Sequence, residues 1–240
     1  MRVRTVAICL LGLGGLATAG PITIFNSFAP GNTYQCCSGY FVVGPAATNG
    51  TLPGTFGLNE TAGAFTPAGN FNLTQVDVAI YSGYSPTNTY GFTLSLDQDS
   101  GGVPGATIET WTGLTAFSPS VGTSTVVQTV FAVGTVPLLA GNQYWIVASP
   151  AASTTFDFWA DTNSLLPSTG GRMAVCGGNS NGGNGGSACP SWRVDNLSNN
   201  DIAFDVQGTA TPEPSTLFLT GASVLGAIIM RKRILGRTSV

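Results

Sequence analysis

Histidine is absent from the whole chain of 240 residues, and this absence narrows the chemistry that the protein could perform. Ser-His-Asp and Cys-His catalysis both need an imidazole base, and most hydrolytic zinc sites use histidine as a ligand. Paired carboxylates, which cleave glycosidic bonds, remain available. The acidic residues that could form such a pair are Asp97, Asp99, Glu109, Asp157 and Asp161.

Two of these acids also raise the question of a calcium loop. Asp97 and Asp99 belong to the segment "DQDSGG", which is typical of a turn between strands. A calcium loop of the EF-hand type needs Asp or Asn at the fifth position and Glu at the twelfth, where this chain has Gly101 and Ile108. The pattern therefore favours a turn, and we expect no metal site there.

Two further acids, Asp157 and Asp161, flank Trp159 near the end of a candidate strand. A surface acid beside an aromatic residue is more often a solvated side chain than part of an active site, so we expect both to be solvated. No phosphate-binding loop occurs either. The sequence thus predicts no enzymatic activity and no cofactor.

Charged side chains are scarce, at 8% of residues, whereas about a quarter is usual. The few cations lie mostly at the two ends, and between residues 20 and 210 only Arg172 and Arg193 are basic. Ten acidic residues share that span, which gives it a formal charge of −8. Such a domain repels phosphate backbones, so we expect no nucleic-acid partner.

Residues 1–19 have the three parts of a secretory signal peptide. Arg2 and Arg4 form a basic start, an apolar stretch follows, and Ala-Thr-Ala at residues 17–19 is a small-residue cleavage site. An N-terminal core strand is the alternative, but the charges and the Ala-x-Ala ending argue against it. We therefore expect signal peptidase to cut after Ala19 and the secretion machinery to export the chain.

The chain ends with "TPEPSTLFLTGASVLGAIIMRKR", residues 211–233. Its apolar run of 14 residues is shorter than the about 20 of a comfortable membrane span. Cations that directly follow an apolar run hold that end on the cytoplasmic side. The sequence predicts a transmembrane helix at residues 216–230, with residues 20–210 outside. The basic tail consists of Arg231, Lys232 and Arg233.

This order of motif, apolar helix and basic tail resembles the PEP-CTERM sorting signal of Gram-negative bacteria that secrete exopolysaccharide. Pro212, Glu213 and Pro214 match the defining triplet, whereas Thr211 replaces the usual Val. The same short segment is also described as an ice-binding protein C-terminal domain. The resemblance covers residues 211–235 and implies processing near the triplet by exosortase, an integral-membrane cysteine protease, after a transient stay in the inner membrane. The alternative is an ordinary single-pass anchor.

The residues between the two signals alternate like short β-strands separated by turns. The stronger candidate strands are residues 71–81, 90–97, 124–133, 142–149, 156–160 and 200–207. No sustained helical period occurs, so the sequence predicts an all-β domain at residues 20–210, a β-sandwich with a jelly-roll-like arrangement. The alternation through Leu73, Val76 and Val78 contains one slip, which a β-bulge would explain.

Two stretches of this domain, "GFTLSLDQDSGGVPGATIET" and "LLAGNQYWIVAS", resemble β-sandwich domains of exported PEP-CTERM and related choice-of-anchor proteins. In those domains a strand leads into a Gly-Pro-Gly turn, and a later Ala-Gly-x-x-Tyr-Trp begins a core strand. The resemblance covers about residues 70–158. It supports the fold and implies no catalytic residues.

Four cysteines remain once Cys9 leaves with the signal peptide, and an even number in an oxidising compartment predicts disulfides. They are Cys36, Cys37, Cys176 and Cys189. A bond between the adjacent pair would be strained, so we favour two bridges that tie this corner to the later loop, although three connectivities stay open. Adjacent cysteines without histidine would make a poor zinc site.

The tryptophans suggest a different kind of site, because exposed aromatic faces on a β-sandwich can stack on sugar rings. Trp145 lies in a strongly apolar strand and is expected in the core. Trp111, Trp159 and Trp192 could belong to the core or contact a glycan, and the core is favoured.

The sequence therefore predicts an exported, non-enzymatic β-sandwich that exosortase sorts to the cell envelope or the extracellular matrix. A carbohydrate-binding module for exopolysaccharide is the alternative, and solvent exposure of the three tryptophans would favour it. A glycan-active enzyme has the least support. Two carboxylates that face each other in one cleft would favour that third interpretation.

Overall fold

The computed structural model of the protein describes residues 20–48, 57–83, 89–118, 123–124, 126–162, 172–177, 191–195 and 202–211. The predicted signal peptide and the whole segment from residue 212 onward lie outside these ranges, so the helices expected there stay predictions. No helix within the described ranges is long and apolar enough to cross a membrane.

The described residues form short strands. In chain order they are β1 (Ile22–Asn26), β2 (Tyr34–Val43), β3 (Asn59–Phe65), β4 (Phe71–Val78), β5 (Ile80–Ser82), β6 (Phe92–Asp99), β7 (Pro104–Leu114), β8 (Thr123–Ser124), β9 (Gln128–Phe131), β10 (Pro137–Leu138), β11 (Tyr144–Pro150), β12 (Phe156–Asp161), β13 (Met173–Gly177), β14 (Trp192–Asp195) and β15 (Phe204–Ala210).

These strands form two sheets. The small sheet has the order β1-β15-β4-β10, and β9 also pairs with β4. The large sheet has the order β5-β12-β2-β3-β11-β6-β7, with β13 attached to β3, β14 to β13 and β8 to β2. Every pairing between these described strands is antiparallel. The predicted all-β class is confirmed for the described residues, and the jelly-roll arrangement stays a prediction.

One hydrophobic cluster joins the two sheets. Phe92, Leu94 and Leu96 alternate along β6 in the large sheet and are fully buried, as their spacing predicts. Val76 and Val206, from the small sheet, belong to the same cluster. Removal of this apolar surface from water on both sheets is the main favourable term that holds them together.

The predicted bulge is present in β4. Gln207 pairs with Gln75, but the next residue, Gly208, pairs with Leu73. Thr74 is therefore the extra residue on β4. Because a bulge shifts the alternation by one residue, Leu73 still points into the core on the far side of the slip.

The prediction of one continuous strand at residues 71–81 is wrong, because the chain changes sheets within it. β4 ends in the small sheet and β5 begins in the large sheet, with Ala79 as the crossing point. The Ala79 N–H donates to the carbonyl of Ala203 at 3.2 Å, Ala203 donates to Ala160 at 2.9 Å, and Ala160 donates to Ala79 at 2.8 Å. These three fully buried residues are named the alanine seam.

Trp159 extends the alanine seam into the core. Its Nε1 donates to the carbonyl of Ala203 at 2.9 Å, and its ring meets that of Phe204 edge-on at 6.0 Å between centroids. Because a buried indole N–H without an acceptor is costly, this carbonyl fixes the direction of the Trp159 side chain. A residue of the large sheet is thereby bonded to Ala203, which directly precedes β15 of the small sheet.

Small residues on β3 allow a close approach to the small sheet. This strand was not among the predicted ones, because "NETAGAF" has few of the β-branched and large apolar residues that mark strands. A Cβ on Gly63 would lie 2.6 Å from Cε1 of Phe204 and 2.8 Å from Cδ1 of Ile202. Both neighbours are buried, so a side chain at this position would force the core to shift.

Gly63→Ala should therefore lower the free energy of unfolding by about 1–3 kcal/mol, the usual cost of overpacking a core. Gly69→Ala is the matched control, since a Cβ there would meet only the Phe71 ring, at 3.4 Å. Chemical denaturation of the purified protein measures both variants. Equal stability of the two variants would contradict the close approach at Gly63.

Candidate functional site

An open cleft of about 660 Å³ lies where β6 ends and β11 begins. Its walls come from the end of β6, from β7 and from the chain between β10 and β11. Small-molecule sites usually have about 300–1,000 Å³, which makes this cleft the candidate functional site. Its lining combines amides, one carboxylate and apolar groups: Gln98, Asp99, Ile108, Pro137, Leu139, Gly141, Asn142, Gln143 and Tyr144.

Asp99, the carboxylate of the cleft, is held by three donors. Its Oδ1 accepts from Trp145 Nε1 at 2.8 Å and from Gln143 Nε2 at 2.7 Å. Its Oδ2 accepts from the backbone N–H of Gly102 at 3.0 Å. Gly101 and Gly102 have φ angles of 70° and 91°, which favour glycine in this tight turn between β6 and β7. The carboxylate is therefore oriented before any ligand arrives.

The facing wall is a turn between β10 and β11 that is also fixed by hydrogen bonds. The Tyr144 hydroxyl accepts from the Leu139 N–H at 2.9 Å, and the Leu139 carbonyl accepts from the Asn142 N–H at 3.2 Å. Asn70 Oδ1 accepts from the Ala140 N–H at 2.9 Å, which ties the turn to the residue before β4. The Leu139 side chain remains 51% exposed, so the turn presents an apolar group to solvent.

Two of the three tryptophans considered for glycan contact lie in the core instead. Trp111 is 7% exposed, and its Nε1 donates to the carbonyl of Phe131 at 2.8 Å. Trp159 is fully buried beside the alanine seam. Their strands turn both side chains inward, so neither offers a face to a sugar, and the glycan-contact interpretation is corrected for both.

The other two tryptophans lie close together on the large sheet. Trp145 is fully buried, as expected for a core residue. Trp192, on β14, is half-buried against the cluster that contains Trp145. Of the three residues considered for glycan contact, Trp192 thus keeps the most accessible side chain.

The acids that flank Trp159 are buried, and the expectation that they are solvated is wrong. Asp157 has no exposed surface and Asp161 is 6% exposed. Asp157 Oδ2 accepts from the Gly91 N–H at 3.0 Å, whereas its Oδ1 has no hydrogen-bond partner among the described residues. Desolvation raises the pKa of the Asp157 carboxyl to about 7, against the smaller opposite effect of the Gly91 hydrogen bond.

Asp97, next to the cleft residue Gln98, is buried as well. Burial raises the pKa of Asp97, and hydrogen bonds from Ser95 and Thr107 partly oppose this rise. Burial likewise raises the pKa of Glu60, and the charge of Asp97 adds to that rise. Within the described part of the chain, no group of three or more Cys, Asp or Glu residues could hold a metal ion.

An acidic pair on the small sheet escaped the sequence reasoning. Asp77 lies directly opposite Asp205, and Gln75 lies opposite Gln207. Gln75 Nε2 donates to Asp77 at 2.8 Å and Gln207 Nε2 donates to Asp205 at 2.7 Å, so each amide holds the acid two residues away. The sequence contains the mirrored tripeptides Gln-Val-Asp, residues 75–77, and Asp-Val-Gln, residues 205–207. Only the strand register brings these two tripeptides together.

This pair does not line the cleft. Asp77 is 6% exposed and Asp205 is 2% exposed. Burial raises the pKa of Asp205, the Gln207 hydrogen bond lowers it, and the charge of Asp77 raises it. The cleft itself is lined by one carboxylate, Asp99, so it does not present the two facing carboxylates that would favour a glycan-active enzyme.

The cysteines are described only in part. Cys176, on β13, is fully buried. The side chains of Cys36 and Cys37 and the whole of Cys189 lie outside the described residues. The connectivity therefore stays a prediction.

Comparison with models of known protein families finds no match for this chain, and comparison with curated proteins finds none either. The chemistry of the cleft must therefore be inferred from its own lining residues.

The buried Asp157 makes stability depend on pH. Its folded-state pKa of about 7 lies above the ordinary 3.8, so the folded chain keeps a proton that the unfolded chain releases. The free energy of unfolding should then fall as pH rises from about 4 to about 7, by at most about 1.4 kcal/mol per pH unit from this group. Asp157→Asn mimics the protonated acid and should remove that contribution.

Chemical denaturation of wild type and Asp157→Asn between pH 5 and pH 8 measures the effect. The two should be similar at pH 5, and the variant should be the more stable at pH 8. The other buried acids affect both proteins equally, so the difference isolates Asp157. Curves that run parallel over the whole range would show that Asp157 does not carry the proton.

Proposed function

We propose that this protein is an exported, non-enzymatic component of the cell envelope or extracellular matrix, sorted and processed by exosortase. The observation that carries the proposal is the C-terminal order of Pro212-Glu213-Pro214, a short apolar run and the basic residues 231–233. The signal peptide at the other end supports export. The partners in this proposal are signal peptidase, the secretion machinery, exosortase and, transiently, the inner membrane.

The end of the described domain supports a cut at this place. β15 ends at Ala210, and Thr211 donates to the Asn70 carbonyl from its N–H at 3.0 Å and from its Oγ1 at 3.1 Å. The Pro-Glu-Pro triplet begins at the next residue. Cleavage within or after the triplet would therefore leave β15 paired with β4 up to Ala210.

The spacing to the predicted transmembrane helix is short. Only residues 212–215 separate Thr211 from the first residue of that predicted helix. Four extended residues span at most about 14 Å, so the end of the sandwich near Asn70 would lie close to the bilayer before processing. A membrane-embedded protease would then meet the triplet just outside the bilayer. The short apolar run would hold the membrane weakly, in keeping with a transient anchor.

Export also underlies the proposed disulfide framework. Two bridges among the four cysteines of the mature domain would form in an oxidising compartment and join its early and late parts. A jelly-roll-like arrangement of the sandwich belongs to the same proposal. The four cysteines are Cys36, Cys37, Cys176 and Cys189.

A carbohydrate-binding module that recognises exopolysaccharide is the second candidate function. The burial of Trp111 and Trp159 removes most of the tryptophan surface on which that alternative depended. The open cleft beside Asp99 favours it instead, since it offers polar and apolar groups together.

Replacement of Pro212, Glu213 and Pro214 by Ala should leave the full-length protein in the inner membrane, because exosortase would no longer recognise the tail. Wild type should yield a shorter form, cut near residues 211–215, outside that membrane. Fractionation with intact-mass measurement separates the two results.

A host that lacks exosortase is the matched control and should retain the wild-type chain as the variant is retained. If wild type keeps its tail through Val240 in both hosts, the sorting proposal fails. A permanently anchored surface protein would then take its place.

A further inference from the structure

The polar groups of the cleft are suited to hydroxyl groups. Gln98 and Asn142 are exposed and Gln143 is half-buried, and all three line the cleft. An amide side chain both donates and accepts hydrogen bonds, as a hydroxyl does, so amides can bind hydroxyls in either direction. Asp99 adds an oriented acceptor.

The charge of the cleft selects against anions. Its lining contains the carboxylate of Asp99 and no Lys or Arg. A phosphate, sulfate or uronate group would meet that carboxylate with no cation in the lining, because Arg172, which lies beside Gly102, is not a lining residue. The excess of acids across residues 20–210 adds to the repulsion. The cleft is therefore suited to a ligand without negative charge.

The apolar groups of the cleft are suited to the C–H faces of sugar rings. Ile108, Pro137 and Leu139 lie in the same lining as the amides. A hydroxyl-rich ligand with apolar ring faces satisfies both sets at once, and an oligosaccharide has this combination. The volume of about 660 Å³ is in the range of small-ligand sites.

An exposed apolar strip is bonded to β7, the strand that supplies Ile108 to the cleft, and could contact further sugar units. Phe131 is 65% exposed and Val133 is 82% exposed. The Phe131 carbonyl accepts from Trp111 Nε1, and the Val133 N–H donates to Glu109 Oε1. Both contacts fasten the strip to β7 near Ile108, which lines the cleft. The exposed ring of Phe131 offers an accessible aromatic face, which the buried Trp111 and Trp159 do not.

We infer that this cleft binds a neutral oligosaccharide, through the amides of Gln98, Asn142 and Gln143 and the apolar wall of Leu139. The carboxylate and both turns are already fixed by hydrogen bonds, so binding loses little conformational freedom. The inference does not depend on exosortase processing, because the cleft belongs to the described domain and not to its tail.

The test is affinity gel electrophoresis of the exported chain, purified from its host. The gels contain neutral polysaccharides with glucose, mannose, galactose or N-acetylglucosamine backbones. Parallel gels contain alginate as an anionic probe and glycol chitosan as a cationic one. At least one neutral polysaccharide should retard the wild type, and alginate should not.

Gln98→Ala/Asn142→Ala should weaken the apparent affinity by about ten-fold or more, since it removes two exposed hydrogen-bonding groups. Leu139→Ala tests the apolar wall and should also weaken binding. Gln128→Ala is the matched control. It removes the side-chain amide of a residue that pairs with Val78 on β4, whereas Pro137 of the cleft pairs with Asn72, about 20 Å away along the strand. Thermal unfolding confirms that each variant is folded.

Three results would overturn the inference. The first is the absence of retardation by every neutral polysaccharide. The second is retardation by alginate or glycol chitosan alone, which would show that charge and not hydroxyl recognition governs binding. The third is a double variant that loses no more affinity than Gln128→Ala does. None of these results bears on cleavage of the tail, so the sorting proposal is tested separately.

Discussion

The alanine seam is the constraint on which the rest of the domain depends. Ala79, Ala160 and Ala203 form a closed ring of backbone hydrogen bonds, in which each residue donates to one neighbour and accepts from the other. The ring lies where the chain leaves the small sheet for the large one, so it fixes the two sheets relative to each other. Trp159 and Phe204 then pack beside it, and the close approach at Gly63 follows from the position of Phe204.

The scarcity of charged residues determines which groups stabilise the carboxylates of the domain. Carboxylates are held by neutral donors: Asp99 by Trp145 and Gln143, and Asp205 by Gln207. The ionised form of a buried carboxylate is stabilised less by neutral donors than by a paired cation. All four described acids with a resolved change accordingly have a raised pKa, with burial as the largest cause. Mildly acidic conditions therefore favour the folded state, and the absence of Lys and Arg from the cleft lining makes the cleft unsuited to an anionic ligand.

Sequence reasoning found the strands in which large apolar residues alternate, such as β6 and β11, because their pattern is local. It missed β3, whose small residues carry no such pattern, and the change of sheet at Ala79, because the alternation runs through that residue without a break. It could not decide whether Trp111 and Trp159 lie in the core or contact a glycan, because their burial depends on which face of each strand meets the other sheet. The cleft combines residues from three separate segments, so no local motif could have predicted it.

Amide hydrogen exchange of the purified protein, followed residue by residue with NMR, tests the role of the alanine seam most directly. If the seam joins the sheets, the amides of Ala79, Ala160 and Ala203 should exchange only through global unfolding, as slowly as that of Leu96 in the centre of β6. The described partner of β9 is β4 alone, so β9 provides the fast reference. Exchange of the seam amides as fast as that of Val130 in β9 would contradict the account, because the seam hydrogen bonds could then open while the core stays folded.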